Sequence, residues 1–523
     1  MAVEIELKLL LPPDQIPRLG RLASVAAATR GRPGSRQLHS VYYDTPQRDL
    51  ARHGVALRLR RSGARWVQTL KTEGRVRGAL HERSEFEAPA AAQIINFVAL
   101  SQTPAAALFA DAALRARLQP VFATDFRRTT RQLQLGGGTR ALLCVDLGRI
   151  VATQSGREAP LCELELELES GEPGGLFAFA RSLLPALSLR VCRHSKAERG
   201  FALLDPPAAA VAPARAQAPR LHPDMDVTAA FEAIAASCLM QLQDNEPGVL
   251  ASDDPEFIHQ ARVALRRLRS AFALFRPVMP RPPVADLLQA LRTNAASLGE
   301  ARDWDVFCTE TAPPVCAALG DAPGLPRLLQ LAAARRAQAR AAALETMAGP
   351  AYTCLLLDLG SALAARPWRA ALDEAGRARE ALPLPEFAAL LLARQARRVR
   401  RAGRGLGALD ETALHALRIE VKKLRYAAEF LQRLFRRGAV RDYIAATAEL
   451  QEILGSLNDA AVTARLLAEL NGGDAAQLSH AAGLVRGWSA ARAAAGIGHL
   501  SHAWSRFEAA RPFWRSSRPA EKP

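Results

Sequence analysis

Long apolar runs are missing from this chain of 523 residues. The nearest approach, Phe387 to Leu392, is short and bordered by arginine, well under the ~20 residues that cross a bilayer. Near the start, Glu4, Glu6 and Lys8 interrupt the stretch that a secretory leader would keep apolar, so a cytoplasmic location is expected. Cysteine is sparse. Cys144, Cys162, Cys192, Cys238, Cys308, Cys316 and Cys354 are odd in number, widely spaced and contain no CxxC, which argues against a disulfide framework or structural zinc. Aromatic residues make up only 6% against 49% hydrophobic, and the balance goes to alanine and leucine, the composition of a largely helical chain. No Walker loop, dinucleotide fingerprint or Ser/His/Asp arrangement is present.

What is abundant is positive charge. The formal net charge is +17, split as +9 over residues 1–205 and +8 over the rest, so the excess is not a basic tail. An anionic partner is implied, and the placement of the charges must say where it binds.

Residues 1–204 read as mixed strand and helix. Strands are predicted near 3–11, 38–45, 55–61, 65–72, 81–88, 121–135, 139–147 and 160–169, with helices near 13–28, 91–118 and 173–187. Prolines and alanines over 205–222 predict an extended linker. A helical domain is expected over 223–510 and a tail over 511–523.

Four strand-like runs carry charge on one face and aliphatic side chains on the other: Glu4–Leu9, Leu57–Arg60, Arg83–Glu87 and Glu163–Glu169. Strand side chains alternate with period two, so each run has one ionic face. Such faces can simply be solvated. Acids dominate two of these runs and arginines a third, which suits a closed barrel with its apolar side outward under helices. Its lumen would hold carboxylates and guanidinium groups together, a setting for a metal-bound polyanion.

The helical half repeats itself. His259, Arg262, Arg266, Arg267 and Arg269 recur as His415, Arg418, Lys422, Lys423 and Arg425, offset by 156 residues. Arg302-Asp303 recurs as Asn458-Asp459 at the same offset, which indicates duplication of a multi-helix unit. His259, Arg262, Arg266 and Arg269 share an arc of about 80° on a helix, as do His415, Arg418, Lys422 and Arg425. That spacing normally marks an apolar seam. Here the seam is cationic, either a solvated face or, as the duplication favours, an anion-binding groove. Arg267 and Lys423 are expected to pair with acids such as Asp303 or Asp459, and these acids with Asp305 to lock helices together. Trp304 is expected in the core, and the arginine run from Arg394 to Arg404 reads as a solvated helix end.

The motif Glu4-x-Glu6-x-Lys8 resembles the opening of the CYTH domain, the triphosphate tunnel metalloenzymes. His53-Gly54-x-Ala56-Leu57-Arg58-Leu59-Arg60, Thr69-Leu70-Lys71, Arg83-x-Glu85, Phe122-x-Thr124-Asp125-Phe126-x-Arg128, Val145-Asp146, Cys162 to Glu167 and Ser195-Lys196-x-x-x-Gly200 follow in that family's order. The helical half resembles the CHAD domain, and together the halves look like the two-domain CYTH–CHAD inorganic triphosphatases. The resemblance implies an α+β chain: a closed antiparallel β-tunnel followed by an all-α duplicated bundle. It implies a divalent metal on Glu4, Glu6, Glu163 and Glu165 with Asp146, and phosphate contacts from Lys8, Arg58, Arg60, Lys71, Arg128 and Lys196. Glu4, Glu6, Lys8, Glu85 and Lys196 form the implied catalytic set.

The chemistry agrees. Hard oxygen ligands without histidine or cysteine favour Mg²⁺ or Mn²⁺, and arginine's fork takes two phosphate oxygens at once. The expected activity is hydrolysis of inorganic triphosphate, with the second domain binding long-chain polyphosphate. The alternatives are a hydrolase or cyclase acting on thiamine triphosphate or a nucleoside triphosphate, and a mainly non-catalytic polyphosphate-binding protein. Nucleic acid is a lesser candidate, and no membrane partner is expected.

Overall fold

The computed structural model describes residues 2–72, 74–77, 79–206, 212–320, 322–470 and 475–515. Part of the expected linker, 207–211, and the tail beyond 515 lie outside the described residues. The chain forms two compact units. The first runs to Ala212 and adds Ala348–Arg366; the second comprises Pro213–Met347 and resumes at Pro367.

The first unit is built on one antiparallel sheet: β1 (Ala2–Leu10), β2 (Thr29–Asp44), β3 (Val55–Ser62), β4 (Arg65–Thr72), β5 (Arg75–Arg77), β6 (Leu80–Ala90), β7 (Gln119–Gln134), β8 (Arg140–Ala152), β9 (Glu158–Ser170) and β10 (Arg190–Val191). The order β1-β9-β8-β7-β2-β3-β4-β6 returns to β1 through a further β1–β6 pairing, so eight strands close a ring. Closure leaves those strands no open edge. Cross-strand partners share a face. Glu4 opposes Arg83, Glu6 opposes both His81 and Glu167, and Lys8 opposes Glu165, while Lys71 opposes Glu85 and Asp146 opposes both Arg128 and Glu163. All of these line the lumen.

The outer face is apolar. Leu57, Leu59 and Leu70 are buried with Leu100, Phe109 and Leu114, which come from short helices between 97 and 117. The segments 13–28 and 91–118 are not single helices as expected: Gly20 caps the short helix Ile16–Leu19 before Ala23–Ala28 begins, and Pro104 and Asp111 punctuate the second. β2 begins nine residues before its predicted start, because the polar stretch from Thr29 pairs with β7 around Thr129 to Leu133.

Two helices finish this unit. α1 (Gly174–Leu183) buries Leu176, Phe177, Ala180 and Leu183. α2 (Lys196–Ala202) opens with a capping box: the Ser195 hydroxyl accepts from the Glu198 amide, and the Glu198 carboxylate accepts from the Ser195 amide. This cap aims Lys196 inward and lays α2, through its own Phe201, against Phe122, which stacks on Tyr42. Gly200 is obligatory there, since a Cβ would stand 2.2 Å from the Phe122 ring.

In the second unit, α3 (Val227–Ala251), α4 (Pro255–Leu274) and α5 (Ala285–Val306) are followed by α6 (Leu325–Ala348). The chain then enters the first unit as α7 (Pro350–Ala365) and returns as α8 (Glu374–Glu380), α9 (Leu384–Ala402), α10 (Glu411–Leu431), α11 (Arg437–Leu470) and α12 (Ala475–Ala509). The repeated basic helices are α4 and α10, both opened by aspartate caps, Asp254 and Asp410, 156 residues apart. α7 packs on α1: Gly360 meets the Phe177 ring, Arg181 pairs with Asp358 at 2.5 Å, and Thr353 donates to the Leu189 carbonyl at 2.9 Å. All seven cysteines are free thiols. Among the described residues no single helix is long and apolar enough to cross a membrane.

Gly200→Val should lower stability by about 1–3 kcal/mol, read as a fall in the urea midpoint, and Phe122→Leu in the same chain should recover part of the loss.

Candidate active site in the β-tunnel and a basic groove

The lumen sorts its charges into two regions. In the first, Asp146, Glu163 and Glu165 bring carboxylate oxygens within 4.8 Å of one another. Lys196 stands among them, 2.7 Å from Asp146, 3.0 Å from Glu165 and in direct contact with Glu163. Lys8 and Arg128 also bind Glu165, Arg128 grips Asp146 through two 2.7 Å hydrogen bonds, and Arg199 reaches Glu163 at 3.0 Å. Burial alone would push these acids toward neutrality. Instead Lys196, Lys8 and Arg128 overcome burial and hold Glu165 well below the usual carboxylate range. Asp146 is lowered likewise by Lys196 and Arg128. Glu163 goes the other way, because burial outweighs Lys196. For Lys8 and Lys196, burial acts downward but the surrounding carboxylates win, and both are raised.

The second region is acidic with sparser compensation. Glu4 pairs with Lys71, and Glu6 lies 3.0 Å from Lys8, but Glu167 has no cation of its own among the described residues. Burial, then Glu4 and Glu6, push Glu167 up to about 7. Like charges gathered this way are the setting a hard divalent cation relieves, and the all-carboxylate donor set fits Mg²⁺ or Mn²⁺.

The cations facing these acids are also uneven. Arg58 lies 3.3 Å and Lys71 3.4 Å from Glu85. Arg60 donates to the Ser40 hydroxyl at 3.0 Å and has no carboxylate partner among the described residues. Burial, Arg58 and Arg128 lower it to about 10. Arg58 Nε and Thr124 Oγ1 are buried without hydrogen-bond partners. Buried donors are normally satisfied. Orphaned donors beside an unpaired guanidinium mark a place for anionic oxygens. Phe126 lies beneath three cations, with Lys196 at 5.3 Å, Arg128 at 5.8 Å and Arg60 at 5.9 Å.

In the second unit, Arg262, Arg266, Arg418 and Lys422 gather between α4 and α10. Arg266 donates to the Tyr426 hydroxyl at 2.8 Å. Burial, then Arg266, Arg418 and Arg262, lower Lys422 to about 7, with Asp459 opposing. His259 is lowered by burial and Arg302. His415 instead faces outward and bonds Asn458 at 3.0 Å. Arg269 and Arg425 stand apart from the cluster: Arg269 neighbours Arg292, and Arg425 pairs with Glu429 at 2.7 Å. Among the described residues Arg267 is not seen paired with Asp303 or Asp459. It is buried between Gln241 and the Phe430 ring, and Lys423 pairs with Glu420 instead. Asp303 binds Arg465 at 2.9 Å and lies 3.7 Å from Arg262, Asp305 binds Arg336, and Trp304 is fully buried.

Two family models match this chain, the CYTH domain over residues 2–201 and the CHAD domain over residues 233–468. The chain carries a CYTH domain followed by a CHAD domain. An inorganic triphosphatase of Haemophilus influenzae is 32% identical over 213 residues, covering 39% of this chain and 55% of the relative. The chain thus spans about half the length of that curated relative. The crystal structure of the CHAD domain from the plant Ricinus communis is similar at 34% identity and a TM-score of 0.51, covering 57% of this chain and 98% of that one.

Several lumen residues escaped the sequence reading. His81 is fully buried opposite Glu6. Its Nδ1 accepts from Arg83 at 2.6 Å, so Nε2–H donates to the Cys192 carbonyl at 3.2 Å, which fixes the neutral tautomer. Burial, Lys8 and Arg83 lower it to about 3. Extending the alternation of Glu85 and Arg83 back two residues would have found it. Tyr42 and Arg199 carried no comparable signal.

Lys196→Met would strand three buried carboxylates. The variant should lose about 3–5 kcal/mol in chemical unfolding, and Mg²⁺ should restore more of its melting temperature than it adds to the wild type. In the CHAD groove, Lys422 is charged below about pH 7 and neutral above. Affinity for a linear polyanion should therefore rise as pH falls from about 8 to about 6, and Lys422→Arg should remove most of that gain in a fluorescence anisotropy titration.

Proposed function

We propose that the CYTH tunnel hydrolyses inorganic triphosphate to diphosphate and phosphate with Mg²⁺ or Mn²⁺, and that the CHAD groove binds long-chain polyphosphate. The observation that carries the first part is a closed lumen in which Glu167, crowded by Glu4 and Glu6, shares the interior with Arg60, which has no carboxylate partner among the described residues, and the orphaned donors of Arg58 and Thr124. The similarity to a relative named inorganic triphosphatase supports the substrate class. The gathered charges of Arg262, Arg266, Arg418 and Lys422 support the second part.

Arg58, Arg60, Lys71 and Arg128 would hold phosphate oxygens, and Lys8 and Lys196, kept protonated by their carboxylates, would add charge beside them. Glu4 and Glu6 would hold the cation, joined by Glu167. Asp146, Glu163 and Glu165 would instead orient Lys196, Lys8 and Arg128, since a metal on these three has to displace the Lys196 ammonium. Glu85 positions Arg58 and Lys71. A bound cation would neutralise charge on the leaving diphosphate. Water attacks the terminal phosphorus in line, its oxygen bonds phosphorus, the bond to the bridging oxygen breaks, and a lumen carboxylate takes the proton. The preset charges need no reorganisation as the reaction proceeds.

Phosphate release from triphosphate, thiamine triphosphate and nucleoside triphosphates, assayed side by side with product identification, tests the substrate. Glu6→Gln should abolish metal-dependent release from triphosphate while leaving the melting curve intact; wild-type turnover would remove Glu6 from the site. Glu167→Gln should raise the Mg²⁺ needed for half-maximal rate by roughly tenfold, a change of ~1.4 kcal/mol in cation binding.

A further inference from the structure

The extended segment beginning at Pro213 does not hang free of the CHAD domain. It lies along α3: the Ala214 amide donates to Asn245 Oδ1 at 3.0 Å, Asn245 Nδ2 donates to the Ala214 carbonyl at 2.9 Å, and Ser237 donates to the Gln217 carbonyl at 3.1 Å. Arg267 of α4 also reaches the Gln217 carbonyl, at 3.4 Å. The face of α3 that includes Ile234, Cys238, Leu242 and Asn245 is buried.

The 156-residue repeat assigns this face a counterpart on α9. Ile234, Cys238, Gln241, Leu242 and Asn245 correspond to Leu390, Arg394, Arg397, Arg398 and Arg401. In the second repeat the face is open: Leu390 is 55% exposed, Arg394, Arg397 and Arg401 are exposed, and Arg398 is half-buried. These five positions fall within about a 100° arc, and Arg394 to Arg401 spans about 10 Å of helix. Arg276 and Arg379 come in from other elements. Arg394 is lowered by burial and then by Arg398, Arg276, Arg379 and Arg397, so four other guanidinium groups lie close enough to act on it. Two carboxylates bordering the patch are engaged: Glu420 with Lys423 and Gln395, and Glu380 with Arg369 and Thr228.

We propose that this arginine face of α9 is a second binding track for inorganic polyphosphate, seating an extended phosphate chain where the first repeat seats a stretch of its own backbone. The inference rests on the reading of the CHAD domain as a polyphosphate binder and adds a site apart from the groove between α4 and α10. A phosphate chain suits the face because its cations are all guanidinium groups, which grip paired oxygens. The one aromatic of α9, Phe387, is buried, so the helix itself contributes no ring for stacking a base.

The test uses the full chain and long-chain inorganic polyphosphate, titrated at several salt concentrations. Arg394→Glu, Arg397→Glu and Arg401→Glu together should weaken binding at least tenfold at low salt and flatten the log–log salt slope by about two to three, with an unchanged melting temperature. Should the charge reversals unfold the protein, the Gln versions of the same three positions give the same reading with a smaller loss. Binding and slope equal to wild type in the triple variant, while Arg266→Glu with Lys422→Glu loses affinity, would overturn the α9 track and leave the groove standing. If neither set weakens binding, both readings fall. A triple variant that loses affinity for single-stranded DNA but keeps it for polyphosphate would overturn the track by making this face a nucleic-acid surface.

Discussion

The ammonium of Lys196 held among Asp146, Glu163 and Glu165 is the contact on which the tunnel depends. Moving ions out of water into a closed ring costs several kcal/mol each, and attraction offsets this only where every charge finds a partner. The β-strands supply those partners by register, since Lys8 opposes Glu165 and Arg128 opposes Asp146. The same requirement shapes the exterior. With both faces of the antiparallel sheet removed from solvent, the outward leucines Leu57, Leu59 and Leu70 need the short helices of 97–117 over them. Lys196 itself is delivered by a capped helix that stays in place only because Gly200 lets it touch Phe122.

The two halves of the chain handle charge in opposite ways. In the tunnel, acids and bases interleave, and the departures from balance are local: too much negative charge at Glu167, too much positive charge at Arg60. Position then discriminates. In the CHAD groove, cations crowd one another until Lys422 sits near neutrality, so the repulsion is relieved by any anion that enters. The first arrangement suits a short ligand held in one pose, and the second suits a long uniform one.

Much of this was legible in the sequence, for a physical reason. Alternating charge and leucine in Glu4–Leu9 and Glu163–Glu169 has period two, and it makes sense only if both faces have distinct surroundings. The 156-residue offset likewise exposed the paired basic helices. What escaped detection depended on tertiary pairing. The first nine residues of β2 are polar and mostly exposed, and they are strand only because β7 lies beside them. His81 hides between unlike neighbours, and the partners of Arg267 and Lys423 could not be separated by spacing, because both sit on the flank of the basic arc. The Ser195-x-x-Glu198 spacing was visible as a helix start but had been read only as part of a motif.

α7 belongs by sequence to the stretch matched as CHAD, yet it buries its surface on α1 of the tunnel unit. The polypeptide therefore crosses between the units three times, before α3, before α7 and after it. The two halves are not beads that a single cut can part. A fragment ending at the linker would lack the cover over Phe177, and exchange of either half among relatives would have to carry α7 along with the tunnel.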